Sequence, residues 1–88
     1  PSSLAAAAGN TSITLTWSAN SESDLASYKV YGGTSSSPTT LLSTISAGTV
    51  THTNTSLTNG TTYYYRISAV DNVGNESVKT SDVSTSPK

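Results

Sequence analysis

The 88-residue sequence contains no cysteine and no phenylalanine, and charged residues make up 10% of it. The absence of cysteine excludes a disulfide scaffold, thiol catalysis and zinc–thiolate sites. Four basic residues are too few to form the basic stripe that holds a nucleic acid backbone. No apolar run approaches the roughly 20 residues of a transmembrane helix. We therefore expect neither a nucleic acid partner nor membrane insertion.

Serine and threonine are abundant in this sequence, whereas charged and large apolar residues are few. Ser and Thr occupy 34 of the 88 positions, whereas Leu, Ile, Val and Phe together occupy 15. So few large apolar residues would indicate disorder if the net charge were high, but the net charge is −1. The length suits one domain with a thin core between two layers. We interpret residues 1–88 as a single domain excised from a longer chain, since the apolar stretch 4–8 is too short for a signal peptide.

Apolar and polar residues alternate with a period of two through segments 11–18, 26–31 and 63–70, which predicts half-buried β-strands. Four weaker runs at 4–8, 40–45, 50–55 and 78–84 bring the number of predicted strands to seven. Turn-forming residues separate the runs at intervals of about ten residues, as in a β-sandwich. The residues predicted to face inward on the three clear strands are Ile13, Leu15, Trp17, Tyr28, Val30, Tyr63, Tyr65, Ile67 and Ala69.

Segment 57–70, which reads LTNGTTYYYRISAV, resembles the fibronectin type III domain. That family pairs a leucine with a Pro-Gly-Thr turn, a tyrosine and an alternating strand ending in Ala-Val, and Leu57, Gly60 and Tyr63 match it. Asn59 stands where the family usually has proline, but Asn-Gly also forms a turn because glycine accepts a positive φ. The resemblance extends over essentially the whole chain and implies an all-β, seven-stranded antiparallel immunoglobulin-like β-sandwich. No Arg-Gly-Asp is present, so integrin binding is not implied.

The resemblance also implies structural roles for particular side chains. Tyr63 is expected to be the tyrosine corner, with its hydroxyl bonded to the backbone of residues 57–59. Trp17 is expected to fill the centre between the two sheets. The full set of residues with an expected structural role is Trp17, Tyr28, Leu57, Gly60, Tyr63 and Ile67.

Few residues offer catalytic or metal-binding chemistry. We interpret His52, the single histidine, as a half-buried packing residue rather than a general base. No Gly-x-Ser-x-Gly motif is present. Four carboxylates lie in two loops, and the fold that the resemblance implies places both loops at the same end of the sandwich. They form either ordinary Asx turns or, as the alternative, a weak calcium site. The four are Glu22, Asp24, Asp71 and Glu76. We favour the turns, and we expect no enzyme activity, no cofactor and no bound metal.

Tyr31 and Tyr64 are predicted to point outward on neighbouring strands. Such a pair of rings is either a stacking platform for sugars or a cross-strand pair that stabilises the sheet by about 0.2–1 kcal/mol. The structural pair is the interpretation we favour, and the platform is the alternative.

The resemblance implies a non-catalytic extracellular module that spaces or presents neighbouring domains, as in bacterial secreted hydrolases and surface proteins. The alternatives are a binding module for polysaccharide or protein, and a subunit of a surface filament that pairs through a free edge strand. The expected partners are the neighbouring domains of the parent chain, and the isolated domain is expected to be a monomer. Because seven strands is an odd number, Pro1 and Lys88 are predicted to leave opposite ends of the sandwich.

Overall fold

The computed structural model describes residues 2–19 and 24–88 and forms an all-β fold, as predicted. The described residues contain no helix that would cross a membrane. The predicted strand at 78–84 is mostly wrong, since only its C-terminal end becomes a strand. The strands are β1 (Ser2–Gly9), β2 (Ser12–Ser18), β3 (Leu25–Gly33), β4 (Leu41–Ser46), β5 (Thr51–Asn54), β6 (Tyr63–Asp71) and β7 (Val83–Thr85).

The strands form two antiparallel sheets, with the orders β1-β2-β5 and β4-β3-β6-β7. Ser2 pairs with Ser18 at one end of the first sheet. Gly9, at the other end of β1, accepts a hydrogen bond from the Lys88 backbone at 2.9 Å. Ser2 and Lys88 therefore lie at opposite ends of strand β1. The longest dimension of the molecule is 39 Å. The predicted exit of Pro1 lies outside the described residues.

The core lies between the sheets and is built from the predicted inward positions. Six of these side chains have no solvent exposure, and Trp17 retains 5%. The rings of Trp17 and Tyr28 meet edge to face, with centroids 5.4 Å apart and planes at 67°. This contact joins the two sheets and places Trp17 at the centre, as expected. The fully buried six are Ile13, Leu15, Tyr28, Val30, Tyr65 and Ile67.

A polar contact also crosses between the sheets. The side-chain amide of Asn54 on β5 donates to the hydroxyl of Tyr65 on β6 at 2.9 Å. Burial raises the pKa of Tyr65 above that of a free tyrosine. A buried hydroxyl without a partner costs about 1–3 kcal/mol, so Asn54 allows Tyr65 to lie in the core.

Gly32 allows the ring of Tyr65 to pack directly against β3. A Cβ atom at residue 32 would lie 2.8 and 2.9 Å from Tyr65 ring carbons and 2.6 Å from Leu42 Cδ1. Leu42 is exposed and can move, but Tyr65 is fully buried and its ring has nowhere to shift in a close-packed core. The neighbouring Gly33 has room, because its Cβ would meet only Pro38, at 3.9 Å.

We predict that Gly32→Ala lowers the free energy of unfolding by about 1–3 kcal/mol, because the added methyl group overpacks the core beside Tyr65. Gly33→Ala is the matched control, and it should be neutral or stabilise by no more than about 1 kcal/mol. Urea titration of both variants measures the difference. Equal losses of stability would contradict the close approach at residue 32.

Candidate functional site

The outer face of the four-stranded sheet carries a group of polar side chains that are joined by hydrogen bonds and ion pairs. It comprises Lys29 and Tyr31 on β3, Ser68 on β6, and Glu76 and Lys79 from the connection between β6 and β7; we call it the Glu76 cluster. Period-two alternation directs the strand residues outward, because their neighbours in sequence face the core.

The carboxylate of Glu76 is the centre of the cluster. Its Oε2 atom accepts a hydrogen bond from the Tyr31 hydroxyl at 2.5 Å and another from the Ser68 hydroxyl at 2.6 Å. The ammonium of Lys29 lies 3.7 Å from Oε1, and that of Lys79 lies 3.9 Å from Oε2. Lys79 also lies over the Tyr31 ring, 4.6 Å from its centroid, which is a cation–π arrangement.

These contacts keep Glu76 ionised. The Ser68 hydrogen bond lowers the pKa of Glu76 most, followed by the Tyr31 hydrogen bond and the charges of the two lysines. Burial raises the pKa of Tyr31, and the hydrogen bond to the Glu76 carboxylate and its charge raise it further. At neutral pH the cluster therefore holds a charged carboxylate and a neutral phenol. Its geometry attaches the β6–β7 connection to the sheet.

Two hydroxyl residues continue this attachment along the edge of β6. Thr80 donates its backbone N–H to the Ile67 carbonyl at 2.9 Å and accepts the Ile67 N–H on its side chain at 3.1 Å. Ser77 makes the same two contacts with Ala69, at 2.8 and 2.9 Å. Side-chain hydroxyls replace the carbonyls of a regular ladder here. This is why segment 78–84 does not form the predicted strand until residue 83.

Tyr31 does not present an open aromatic face, which the alternative of a stacking platform would need. Tyr31 does lie on the outer face, but it is only 7% exposed because the Glu76 cluster covers it. The strand register places Arg66 opposite Tyr31 and Gly33 opposite Tyr64, so the two tyrosines are diagonal neighbours rather than a direct pair. A Tyr31–Tyr64 stacking platform would require the connection to move away.

Two of the carboxylates considered for the alternative calcium site, Asp71 and Glu76, accept hydrogen bonds from the protein itself. Asp71 Oδ1 accepts the backbone N–H groups of Val73 and Asn75, at 3.1 and 2.9 Å, which is the favoured Asx-type turn. These bonds, led by the one from Asn75, lower the pKa of Asp71. The Asp24 carbonyl accepts the Asn72 N–H at 2.9 Å, so the two loops do meet. Glu22 lies outside the described residues.

No three metal-binding side chains come together within residues 2–19 and 24–88. His52 is half-buried on β5 and lies opposite Leu15, as the alternation predicts.

The crossover from β5 to β6 contains the expected tyrosine corner. The Tyr63 hydroxyl accepts a hydrogen bond from the Thr58 backbone at 3.0 Å, within the predicted 57–59 window. Gly60 has a φ of +86°, which a glycine adopts without strain. Leu57 packs against the core, and its N–H donates to the Thr11 carbonyl at 2.9 Å.

Asn59 has a role that the sequence analysis missed. Its Oδ1 accepts the Thr11 N–H at 2.8 Å, and its Nδ2 donates to Asn10 Oδ1 at 3.0 Å. Thr11 has a φ of +55°, which is unusual for a β-branched residue. A proline at position 59 would supply neither contact. The asparagine in place of the usual proline was therefore the sequence signal from which these two bonds, which we call the Asn59 clamp, could have been predicted.

The topology, the tyrosine corner and the Trp17 core agree with one known family. The model of the fibronectin type III domain matches residues 1–86. The chain belongs to the fibronectin type III family. It is 34% identical over 84 residues to an amylopullulanase from Thermoanaerobacter thermohydrosulfuricus. That match covers 96% of this chain but 6% of the amylopullulanase.

Two solved structures show the same fold. A Fn3-like protein from Clostridium thermocellum is 33% identical with a TM-score of 0.81, and the match covers 100% of this chain and 92% of that one. Pectate lyase PelI from Erwinia chrysanthemi, in complex with tetragalacturonic acid, is 27% identical with a TM-score of 0.80. There the match covers 93% of this chain and 27% of the lyase. Fibronectin type III domains like this one therefore occur inside larger chains, including enzymes.

We predict that Tyr63→Phe lowers the free energy of unfolding by about 0.5–1.5 kcal/mol, the net contribution of one hydrogen bond. Tyr64→Phe is the matched control, because the Tyr64 hydroxyl makes no hydrogen bond in the described part of the fibronectin type III domain. Urea titrations of the two variants should differ by this amount. Equal effects would show that the corner bond contributes nothing specific.

We predict that the wild type is more stable than Glu76→Gln at neutral pH, and that this difference shrinks in acid. Because the folded-state pKa of Glu76 is lowered, its charge stabilises the fold above the ordinary glutamate pKa. That contribution disappears as the pH falls from about 5 to below about 4.

Unfolding free energies measured across this pH range test the Glu76 prediction. Asp71 is present in both proteins, so its titration cancels in the difference. A gap between wild type and variant that stays constant with pH would contradict the assigned role of Glu76.

Proposed function

We propose that this fibronectin type III domain is a non-catalytic extracellular module that holds neighbouring domains of a larger chain apart. The observation that carries the proposal is that Ser2 and Lys88 lie at opposite ends of strand β1, since Lys88 bonds to Gly9 at the far end of that strand from Ser2. A domain whose two chain ends leave at opposite poles adds its own length to the distance between its neighbours.

The attachment of the C-terminal residues supports a rigid spacer. Pro87 is buried, its carbonyl accepts the Gly60 N–H at 2.9 Å, and the Lys88 N–H bonds to Gly9 at the same distance. The chain is therefore held to two turns of the domain up to its last residue. Proline fixes one backbone angle, which restricts bending at this point.

The relatives support the placement in a larger secreted protein. The domain corresponds to 6% of an amylopullulanase and 27% of a pectate lyase, and both names denote enzymes that act on polysaccharides. An extracellular location and an accessory role beside a catalytic domain follow from this likeness as parts of the proposal.

The burial of the Glu76 cluster favours a spacer function over a binding function for this face of the domain. Catalysis or sugar stacking needs a group that a substrate reaches, but Ser68 is fully buried and Tyr31 nearly so. The carboxylate that orders them already accepts two hydrogen bonds and faces two lysines. The hydroxyl, phenol and carboxylate of this face are thus used to hold the fold together.

We predict that a tandem protein of two copies is longer than one copy by about the 39 Å length of the domain. Small-angle X-ray scattering measures the longest dimension of both proteins. The control is a tandem with a Gly/Ser linker between the copies, which should show a broader distribution of distances because such linkers are flexible coils. A directly joined tandem that folds back on itself would contradict the spacer function.

A further inference from the structure

Asn59 is the one asparagine of this sequence that is followed by glycine. In an Asn-Gly pair, the glycine nitrogen attacks the side-chain carbonyl carbon of the asparagine more readily than in other pairs, because glycine has no Cβ to hinder the approach. Asn59 and Gly60 are both exposed, so burial does not protect the pair. Any protection has to come from the geometry of the turn.

The attacking nitrogen is held in a hydrogen bond. The Gly60 N–H donates to the Pro87 carbonyl at 2.9 Å. The nitrogen must lose this proton and turn toward the side chain of Asn59 before it can react, so the bond to Pro87 has to break first. Pro87 is buried, and the next residue, Lys88, donates its own N–H to Gly9.

The side chain under attack is held as well. Thr11 donates to the Oδ1 atom of Asn59, and the Nδ2 atom donates to Asn10. These two bonds fix the plane of the carboxamide, and Nδ2 is the atom that would leave as ammonia. Both reacting groups of the Asn59–Gly60 pair are therefore restrained by residues far away in sequence.

We propose that Asn59 is a site of spontaneous deamidation that the C-terminal segment 86–88 protects, and that the reaction starts when this segment detaches. The Gly60 nitrogen gives its proton to solvent and bonds to Cγ of Asn59. Nδ2 takes up a proton from solvent, the Cγ–Nδ2 bond breaks, and ammonia leaves. Water then adds to either carbonyl of the succinimide ring and opens it to aspartate or isoaspartate. The net change exchanges ammonia for water and involves no oxidation.

The products do not keep all the contacts of the original turn. Aspartate or isoaspartate lacks the Nδ2 donor, so the bond that Asn59 donates to Asn10 Oδ1 is lost, and the Asn10 carboxamide has to turn its own N–H groups toward the new carboxylate. Isoaspartate also lengthens the backbone by one carbon, which displaces the acceptor used by Thr11. Deamidation thus loosens both the β1–β2 turn and the turn in the β5–β6 crossover. Because the reaction is irreversible, the modified residue remains after the C-terminal segment has rebound.

The test follows deamidation of residue 59 in the 88-residue chain by peptide mapping, with isoaspartate detected by enzymatic methylation. Folded wild type should react more slowly than the same chain in urea. Pro87→Gly should react about tenfold faster than folded wild type, which corresponds to roughly 1.4 kcal/mol of easier local opening. Pro38→Gly is the matched control, since Pro38 is also buried but lies in the β3–β4 loop, and its rate should equal that of wild type.

Two further variants separate local release from global unfolding. Lys88→Pro removes the N–H that bonds Gly9, and it should accelerate the reaction even if Pro87→Gly fails to fold. Ile67→Val weakens the core without touching the segment and should leave the rate unchanged. Equal rates in folded and urea-unfolded wild type would overturn the proposal. It would also be overturned if Lys88→Pro caused no acceleration, or if Ile67→Val caused as much as Pro87→Gly.

Discussion

The packing of Trp17 against Tyr28 between the two sheets is the contact on which the rest of the sandwich depends. A domain of this size buries only a thin core, and the sequence supplies few large apolar residues to fill it. Trp17 on β2 and Tyr28 on β3 come from opposite sheets, so their edge-to-face contact sets how the sheets meet. Two further residues allow Tyr65 to pack in the same core: Gly32 leaves space for its ring, and Asn54 bonds its hydroxyl.

Hydrogen bonds from polar side chains stabilise the edges and turns that the small core does not reach. Ser77 and Thr80 use their hydroxyls to bond the β6 edge, and Asn59 uses its amide to hold the β1–β2 turn. Backbone N–H groups need partners wherever they are removed from water, and short hydroxyl and amide side chains reach them where no strand lies alongside. This explains how a chain with 34 serines and threonines forms a defined domain.

Charge is distributed unevenly between the two sheets. Strands β1, β2 and β5 contain no acidic residue, lysine or arginine, whereas Lys29, Glu76 and Lys79 meet on the outer face of the other sheet. The ion pairs there are partly exposed and would be weak alone. Their carboxylate also accepts hydrogen bonds from Tyr31 and the buried Ser68, and this combination keeps the β6–β7 connection on the sheet.

The sequence by itself determined the strands with clear alternation, their inward residues and the tyrosine corner. These features depend on local periodicity and on a short motif, so neighbours in sequence suffice to predict them. The covering of Tyr31, the late start of β7 and the clamp formed by Asn59 were decided only by the tertiary structure. The first and the last depend on a partner far away in sequence: Glu76 lies 45 residues from Tyr31, and Asn59 lies 48 from Thr11. The late start of β7 depends on side-chain bonds of Ser77 and Thr80 to β6, across 8 and 13 residues. A period-two pattern gives the face on which a side chain lies, but which distant segment covers that face depends on how the sheets and loops pack together.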